Sequence, residues 1–349
     1  MTIIVPLLIL HVCISRIFLA LDDFIFPEYR KRKVNQVVFI SGFPRSGTTY
    51  LLNLMATDQK NFTSFRLWEM IFAPSIIQKK VITWVFKFGN TIGFNIGGLA
   101  EKLKSPLFQR FKGIHDIDLQ GYEEDELLFI YRFQSIYLIY IFPELEDIHQ
   151  LLEPDNHRNF SLRVANMRFY ENLIKRHLYV FDPKCERVFL SKNPINPIRM
   201  RSLTTIFPQG KFLVTQRDLE STIPSTISLN THLYACFCHV SPGQNPLRMK
   251  TIDVLLKWSI DFAGFRKSAG HNLLHVEYQS LTSSPLKTIK RIYQSLGLKT
   301  GKAFFRFLLR QNRISQNYRS THLYPRLSPG EMDKICQLKK QTGALKRYA

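Results

Sequence analysis

VVFISGFPRSGTTYLLNLM, residues 37–55, decides the fold. Val37, Val38, Phe39 and Ile40 make a short β-branched and aromatic run of the kind a parallel strand covered on both faces needs, and Gly42 and Pro44 stop it at once. A small-residue loop follows, in which Gly47 permits a tight turn. Thr48 and Thr49 stand where a helix would begin, and Leu51, Leu52, Leu54 and Met55 recur at helical spacing. Strand, loop and helix in this order aim backbone N–H groups and the positive end of the helix macrodipole at one point. The stretch therefore reads as an anion cradle, with phosphate the expected guest.

The spelling is close to a nucleotide triphosphatase loop but departs from it in one residue. In G-x-x-x-x-G-K-[ST] a lysine follows the second glycine and reaches the outer phosphates, whereas Gly47 is followed here by Thr48 and Thr49. The cation is Arg45, two residues before that glycine, at the entrance of the loop. The stretch resembles the 5′-phosphosulfate loop of sulfotransferases that use 3′-phosphoadenosine 5′-phosphosulfate (PAPS), where [KR]-S-G-T-T follows a first strand. That resemblance implies a P-loop-like α/β fold in which Arg45, Ser46, Gly47, Thr48 and Thr49 hold the 5′-phosphate.

Composition bounds the rest. A chain of 349 residues with 45% hydrophobic content has ample material for a core. The formal net charge of +21 is unevenly placed, dense in Lys and Arg from Lys287 onward, while acids cluster between Asp116 and Glu126. Such asymmetry suits a polyanionic ligand or an acidic membrane surface. No nucleic-acid module is legible, and nucleic acid is not the expected partner. Cys13, Cys185, Cys236, Cys238 and Cys336 show neither metal spacing nor an even disulfide framework, so reduced thiols and no metal are expected.

Residues 1–33 read as an amino-terminal apolar helix and a basic linker. Ile3 to Leu21 are long enough to span a bilayer but are interrupted by Pro6, His11 and Arg16. A transmembrane anchor, an interfacial helix with Arg16 snorkelling, and a helix packed on the domain all remain open, with surface attachment favoured. If the segment spans, Arg30 to Lys33 follow it closely, and the positive-inside bias would put the domain on the cytoplasmic face of the membrane. Residues 34–349 read as one domain carrying acceptor-side insertions over about 66–160.

Within that domain Phe62 to Phe65 suit a short second strand, and Arg66 to Met70 open a helix. Residues 81–99 carry Gly89, Gly93, Gly97 and Gly98, which argue for a bent or looped insertion, either a core hairpin or a second membrane-contacting element. The acidic run Glu123 to Glu126 reads as the amino terminus of an apolar helix through Phe142. Leu162 to Phe181 look helical. Val188 to Leu190, Lys211 to Thr215 and Leu273 to Val276 read as further strands separated by helical stretches, hence parallel pairing and a three-layer α/β domain with a central, mainly parallel sheet.

Separate positions converge on one chemistry. Arg217 ends a strand and Ser225 lies eight residues on, a planar cationic fork followed by a hydroxyl two helical turns later. This is similar to the 3′-phosphate site of the sulfotransferases. The segment around Val276-Glu277-Tyr278 resembles the family's Tyr-[ED]-x-Leu segment and implies Tyr278 near the adenine. Leu190-Ser191-Lys192-Asn193-Pro194 resembles the Lys-x-Pro signature of tyrosylprotein and related sulfotransferases, which implies Lys192 beside the transferring sulfate. For the base, Glu69 stands roughly where tyrosylprotein-type enzymes carry a catalytic glutamate, with Trp68 beside it to desolvate it. His115 is similar to the histidine base of cytosolic phenol sulfotransferases, and the choice between the two stays open. The expected function is transfer of a sulfuryl group from PAPS, without a metal, to a hydroxyl or amine acceptor, small molecule, carbohydrate or lipid. A P-loop nucleotide kinase and a non-catalytic membrane-associated nucleotide- or lipid-binding protein are the alternatives.

Overall fold

The computed structural model describes residues 4–91, 118–142, 145–155, 160–238, 248–268, 272–317 and 326–342. Its centre is a five-stranded sheet in the order β2-β3-β1-β4-β5, with every pair parallel. The strands are β1 (Val37–Gly42), β2 (Phe62–Ser64), β3 (Val188–Lys192), β4 (Lys211–Gln216) and β5 (Leu273–Glu277). The chain leaves β1 toward β2 on one side and later returns to place β4 on the other. This reversal puts a ligand crevice beyond the carboxyl end of β1.

The run Val37-Val38-Phe39-Ile40 is apolar throughout because both faces of β1 are covered. Val37 and Phe39 face a core built from α1 (Ile4–Ile25), α5 (Phe160–Phe181), α6 (Asn196–Ile206) and α8 (Arg248–Ser268), through Val12, Leu19, Ile174, Leu203 and Phe265. Val38 and Ile40 face the opposite core, formed by α2 (Thr48–Ala56), α9 (Tyr278–Ser283), α10 (Pro285–Leu296) and α11 (Lys302–Asn317) through Leu51, Leu52, Leu281, Ile289 and Leu308. The helices α7 (Leu219–Cys238) and α12 (Pro329–Thr342) complete a third apolar cluster with α6 and α8. The expected three-layer α/β architecture is what the chain adopts.

Two stretches differ from expectation. The acidic run does not begin a long helix: residues 125–140 form two 3₁₀ segments, Asp125–Arg132 and Ile136–Tyr140, with Phe133 in the left-handed region between them. The acids are spent on tertiary partners instead of on a helix end. The first part of 81–99 lies in a continuous helix α4 (Ile76–Thr91), which runs through Gly89 after α3 (Leu67–Phe72). Its buried face, Ile76 and Lys79, holds it to the domain and outweighs the glycine's cost of about 1 kcal/mol. Residues 92–99 lie outside the described residues.

The amino-terminal helix packs on the domain. Val12, Ser15, Leu19 and Asp22 form a buried stripe. Asp22 accepts from the backbone N–H groups of Ile76 (2.7 Å) and Ile77 (3.1 Å), while Arg176 of α5 donates to Asp22 at 3.0 Å and to the Leu19 carbonyl at 2.9 Å.

Candidate active site

The loop after β1 is bent by necessity. Gly42 has φ 151° and a Cβ there would meet Thr215 Oγ1 at 2.2 Å; Gly47 has φ 90° and a Cβ there would meet the Tyr278 ring at 2.9 Å. Between them Arg45 sits at φ 68°, a left-handed conformation that costs a non-glycine residue about 1–2 kcal/mol and holds where surrounding contacts enforce it. Those contacts are visible. Ser46 Oγ donates to the Phe43 carbonyl and lies 2.6 Å from Thr215 Oγ1, and Arg217 donates to the Arg45 carbonyl at 2.9 Å. The helix that follows has no side-chain cap at Gly47, so the first N–H groups of α2 point at the loop cavity as anion donors.

The nucleotide-side residues expected from sequence are brought together around this loop. Arg45 Nε donates to Ser225 Oγ at 2.9 Å, and the Arg217 guanidinium lies 4.5 Å from the centre of the Tyr278 ring. Tyr278 in turn closes over Gly47. Arg217 and Ser225, expected to share one phosphate, are each engaged locally, Ser225 by Arg45 and Arg217 by the Arg45 backbone and Tyr278. Two guanidinium groups, a hydroxyl, an aromatic face and a free helix terminus thus meet at the carboxyl edge of the sheet. This donor set fits a nucleotide with more than one anionic group.

Lys192 ends β3, level with Ile40 of the adjacent β1. Its ammonium is buried and paired with Glu124, which also accepts from the Tyr137 hydroxyl. Burial, and then the Glu124 charge, push the Tyr137 phenol well above its ordinary value, so it stays a donor. The neighbouring acids are held separately. Asp125 accepts from Tyr170 at 2.5 Å, and Glu126 accepts from the Ile136 N–H at 2.8 Å, from Asn193 at 2.9 Å and from Arg199. Burial pushes the Asp125 carboxyl up to about 6. Three consecutive acids thereby fasten the acceptor-side segment to Lys192, to Asn193 and to helices α5 and α6.

Glu69 is not joined to this group. Its Oε1 accepts from the Arg66 N–H at 3.1 Å, and its Oε2 lies 2.8 Å from His177 Nδ1 and 3.8 Å from Lys79 Nζ. His177 packs on Phe65 and Phe189, on the sheet face away from α2. Burial would raise the Glu69 carboxyl, but His177 and Lys79 pull it below its ordinary value, and burial lowers Lys79 to about 8. Trp68 does not desolvate a proton acceptor here; it packs against Phe181. His115 lies outside the described residues. Glu124, which sequence reasoning took as part of a helix start, is the carboxylate beside Lys192. No local spacing signals the pair, because the partners are 68 residues apart. Among the described residues no group of three or more His, Cys, Asp and Glu is arranged to hold a metal ion.

The sulfotransferase family model matches residues 37–301. The omega-hydroxy-beta-dihydromenaquinone-9 sulfotransferases of Mycobacterium tuberculosis and Mycobacterium bovis are each 25% identical over 275 residues, which cover 75% of this chain. The match spans 62% of the length of those relatives. Among solved structures, the sulfotransferase STF9 from Mycobacterium avium superposes with a TM-score of 0.71 at 14% identity, covering 95% of this chain and 82% of that one. The sulfotransferase STF1 from Mycobacterium tuberculosis does so with a TM-score of 0.65 at 18% identity, covering 96% and 84%. Both likenesses are of fold.

Proposed function

The chain belongs to the sulfotransferase family, and from that premise we propose that it transfers a sulfuryl group from PAPS to the hydroxyl of an amphiphilic acceptor. One observation carries the reading: Arg45, Ser225, Arg217 and Tyr278 converge on the loop after β1, while Lys192 and Glu124 meet at the end of the adjacent strand. Bound there, PAPS supplies the activated sulfuryl group. The loop N–H groups with Arg45, Thr48 and Thr49 hold its 5′-phosphate, Arg217 and Ser225 its 3′-phosphate, and Tyr278 its adenine. Positioning and charge stabilisation do most of the work in transfer of this kind.

In this reading the Lys192 ammonium meets the negative charge that collects on the oxygen leaving with the phosphate, and a Glu124 oxygen takes the proton of the acceptor hydroxyl. Glu124 is preferred to Glu69 because it is paired at the sheet edge and is 26% exposed, whereas Glu69 is 2% exposed. Residues 34–349 act as one domain. A lipid-like acceptor is favoured by the curated relatives, whose names specify a hydroxylated menaquinone. It also agrees with the apolar amino-terminal helix, which is long and apolar enough to cross a membrane by length and composition. Attachment to the cytoplasmic face of a membrane is part of the same reading.

Incubation of the chain with labelled PAPS and a total lipid extract, followed by mass analysis, tests the activity. A sulfated lipid product is expected, and the absence of any label transfer would overturn it. Titration with adenosine 3′,5′-bisphosphate against ATP and magnesium separates the reading from a nucleotide kinase, the former being bound in preference.

A further inference from the structure

We infer that α1 and α4 together form a platform that lies flat in an anionic lipid surface, with α1 embedded along one side and not spanning the bilayer. This builds on the membrane attachment proposed above and is independent of the sulfuryl chemistry.

The helix α1 is apolar on two opposite faces. Val12, Ser15, Leu19 and Asp22 pack inward, and on the other side Leu7, Leu10, Ile14, Ile17, Leu21 and Ile25 recur at three- and four-residue spacing, all exposed, with Ile17 at 60%. Beside it α4 presents a second stripe, Val81, Trp84, Val85 and Phe88, also exposed, with Trp84 at 63% and its ring stacked on Phe88 at 5.3 Å. Asp22 ties the two helices together by accepting the first N–H groups of α4. Exposed apolar stripes on two helices joined through Asp22 are the kind of surface that marks an interaction site.

What covers them is indicated by charge. Lys80 and Lys87 line one flank of the α4 stripe, and Arg16, Lys31 and Lys33 are exposed on or just after α1, against the acids Glu28 and Asp23. Asp23 is already committed to Arg30 and Arg176. Apolar side chains with a Trp and flanking lysines are the arrangement of an interfacial helix on anionic headgroups. Spanning is disfavoured by the inward stripe. Moving α1 into a bilayer would uncover Val12 and Leu19, strip Asp22 from Arg176 and the α4 terminus, and carry a carboxylate into hydrocarbon.

The platform adjoins the acceptor side. His11 of α1 lies 3.2 Å from the hydroxyl of Tyr131, in the 3₁₀ segment that Glu124, the partner of Lys192, immediately precedes. A lipid acceptor would approach Glu124 from the surface on which the enzyme rests.

The test is sedimentation of the full chain with vesicles of phosphatidylcholine alone and of phosphatidylcholine with phosphatidylserine, with adenosine 3′,5′-bisphosphate affinity measured in parallel. The expected result is binding to the phosphatidylserine vesicles and release by alkaline carbonate. Trp84→Ala with Phe88→Ala, and separately Ile14→Ser with Ile17→Ser, each weaken partition on the order of tenfold or more. Lys80→Gln and Lys87→Gln each lower it roughly fivefold on anionic vesicles only. Nucleotide affinity stays unchanged in all of them, which shows that they fold. Failure of the wild-type chain to bind vesicles would overturn the proposal, as would binding indifferent to these substitutions. Retention after carbonate would mean a spanning helix. A self-association abolished by the same substitutions without vesicle binding would assign the faces to a second copy of the chain. An unsubstituted chain that binds the nucleotide but not the vesicles sinks the platform alone, whereas one that binds the vesicles but not the nucleotide sinks the proposed activity alone.

Discussion

Two lysine–carboxylate pairs flank β3, and they are built to opposite ends. Lys79 and Glu69 are both sealed, at 1% and 2% exposure, within a network that also takes in His177, the Arg66 N–H and the carbonyls of Ala73 and Pro74. Lys192 is as deeply buried as Lys79, but its partner Glu124 is 26% exposed, and the pair stands next to the loop after β1. A charge pair with every partner internal serves to hold α3, α4 and α5 against the sheet edge. A pair with one member open to solvent beside that loop is what the proposed function needs: in it the lysine turns to a second anion, and the carboxylate then takes a proton. Carboxylate and ammonium are the same in both, and the neighbours alone divide structure from chemistry.

The largest expected effect of breaking this contrast comes from Lys192. Lys192→Met should lower kcat by about 10³-fold, the cost of removing a transition-state charge partner from a water-poor site, with adenosine 3′,5′-bisphosphate affinity within a few-fold of the parent. Calorimetric titration and saturating-PAPS kinetics check it together. A variant with near-normal kcat would place Lys192 with Lys79 as a purely structural ammonium.

Next in size is Glu69→Gln, whose effect should fall on stability. Leaving Lys79 and His177 without their buried partner costs about 3 kcal/mol. Because the Glu69 carboxyl is held below its ordinary value, its contribution is present above the ordinary carboxylate range and is lost as pH falls through the lowered value. The stability gap between parent and variant, read from denaturant melts at several pH values, should be full at neutral pH and close on acidification. Turnover per folded molecule should change less than about twofold, and a large loss of kcat in a fully folded Glu69→Gln enzyme would restore Glu69 as the base.

How the two regions could be read from sequence follows from the range over which each is encoded. The nucleotide side is written locally: Gly42, Arg45, Gly47 and Thr48 fall in one turn, and Arg217 and Ser225 are separated by one strand end and the start of one helix. Strand patterning likewise placed all five strands, since β1, β3, β4 and β5 each carry a run of apolar residues and Phe62 to Phe65 suit a short strand. The segment around Glu124 is written across the chain. Glu124 finds Lys192 and Glu126 finds Arg199 at separations of 68 and 73 residues, and no spacing rule joins them. Read alone, a run of acids before apolar residues is a helix amino terminus; only the folded β3 end, Ser191-Lys192-Asn193, reveals that each acid has its own distant partner. Gly89 misled for a related reason, since local propensity disfavours the helix that packing of Ile76 and Lys79 enforces.

Glu124→Gln tests the other half of the exposed pair, with a somewhat smaller effect. Removing the base should lower kcat by about 10²-fold at saturating PAPS, with adenosine 3′,5′-bisphosphate affinity within a few-fold of the parent. The Glu124→Gln melting temperature should change far less than that of Glu69→Gln, because one face of Glu124 is open to water. A Glu124→Gln enzyme with near-normal kcat would sink the assignment of Glu124 as the base.

The smallest effect isolates what neither pair should touch. In the proposed reading Lys192 and Glu124 act on the transferring group and Glu69 on the scaffold, so none of their substitutions should alter recognition of the nucleotide's 3′-phosphate. Arg217 should do the reverse. Its guanidinium is held over the Tyr278 ring and bonded to the Arg45 carbonyl, which leaves donors of its fork for an anion at the mouth of the loop. A charge-assisted hydrogen bond contributes about 1.5–3 kcal/mol, so Arg217→Ala should weaken adenosine 3′,5′-bisphosphate roughly tenfold or more. Affinity for 5′-AMP, which lacks the 3′-phosphate, should move by only a few-fold through the lost stacking and the loosened Arg45 loop. Titration of both ligands against parent and variant gives the ratio directly. Equal weakening would mean that Arg217 merely props the loop, and the 3′-phosphate would then have to be sought on Arg45 and Ser225, which already bond each other.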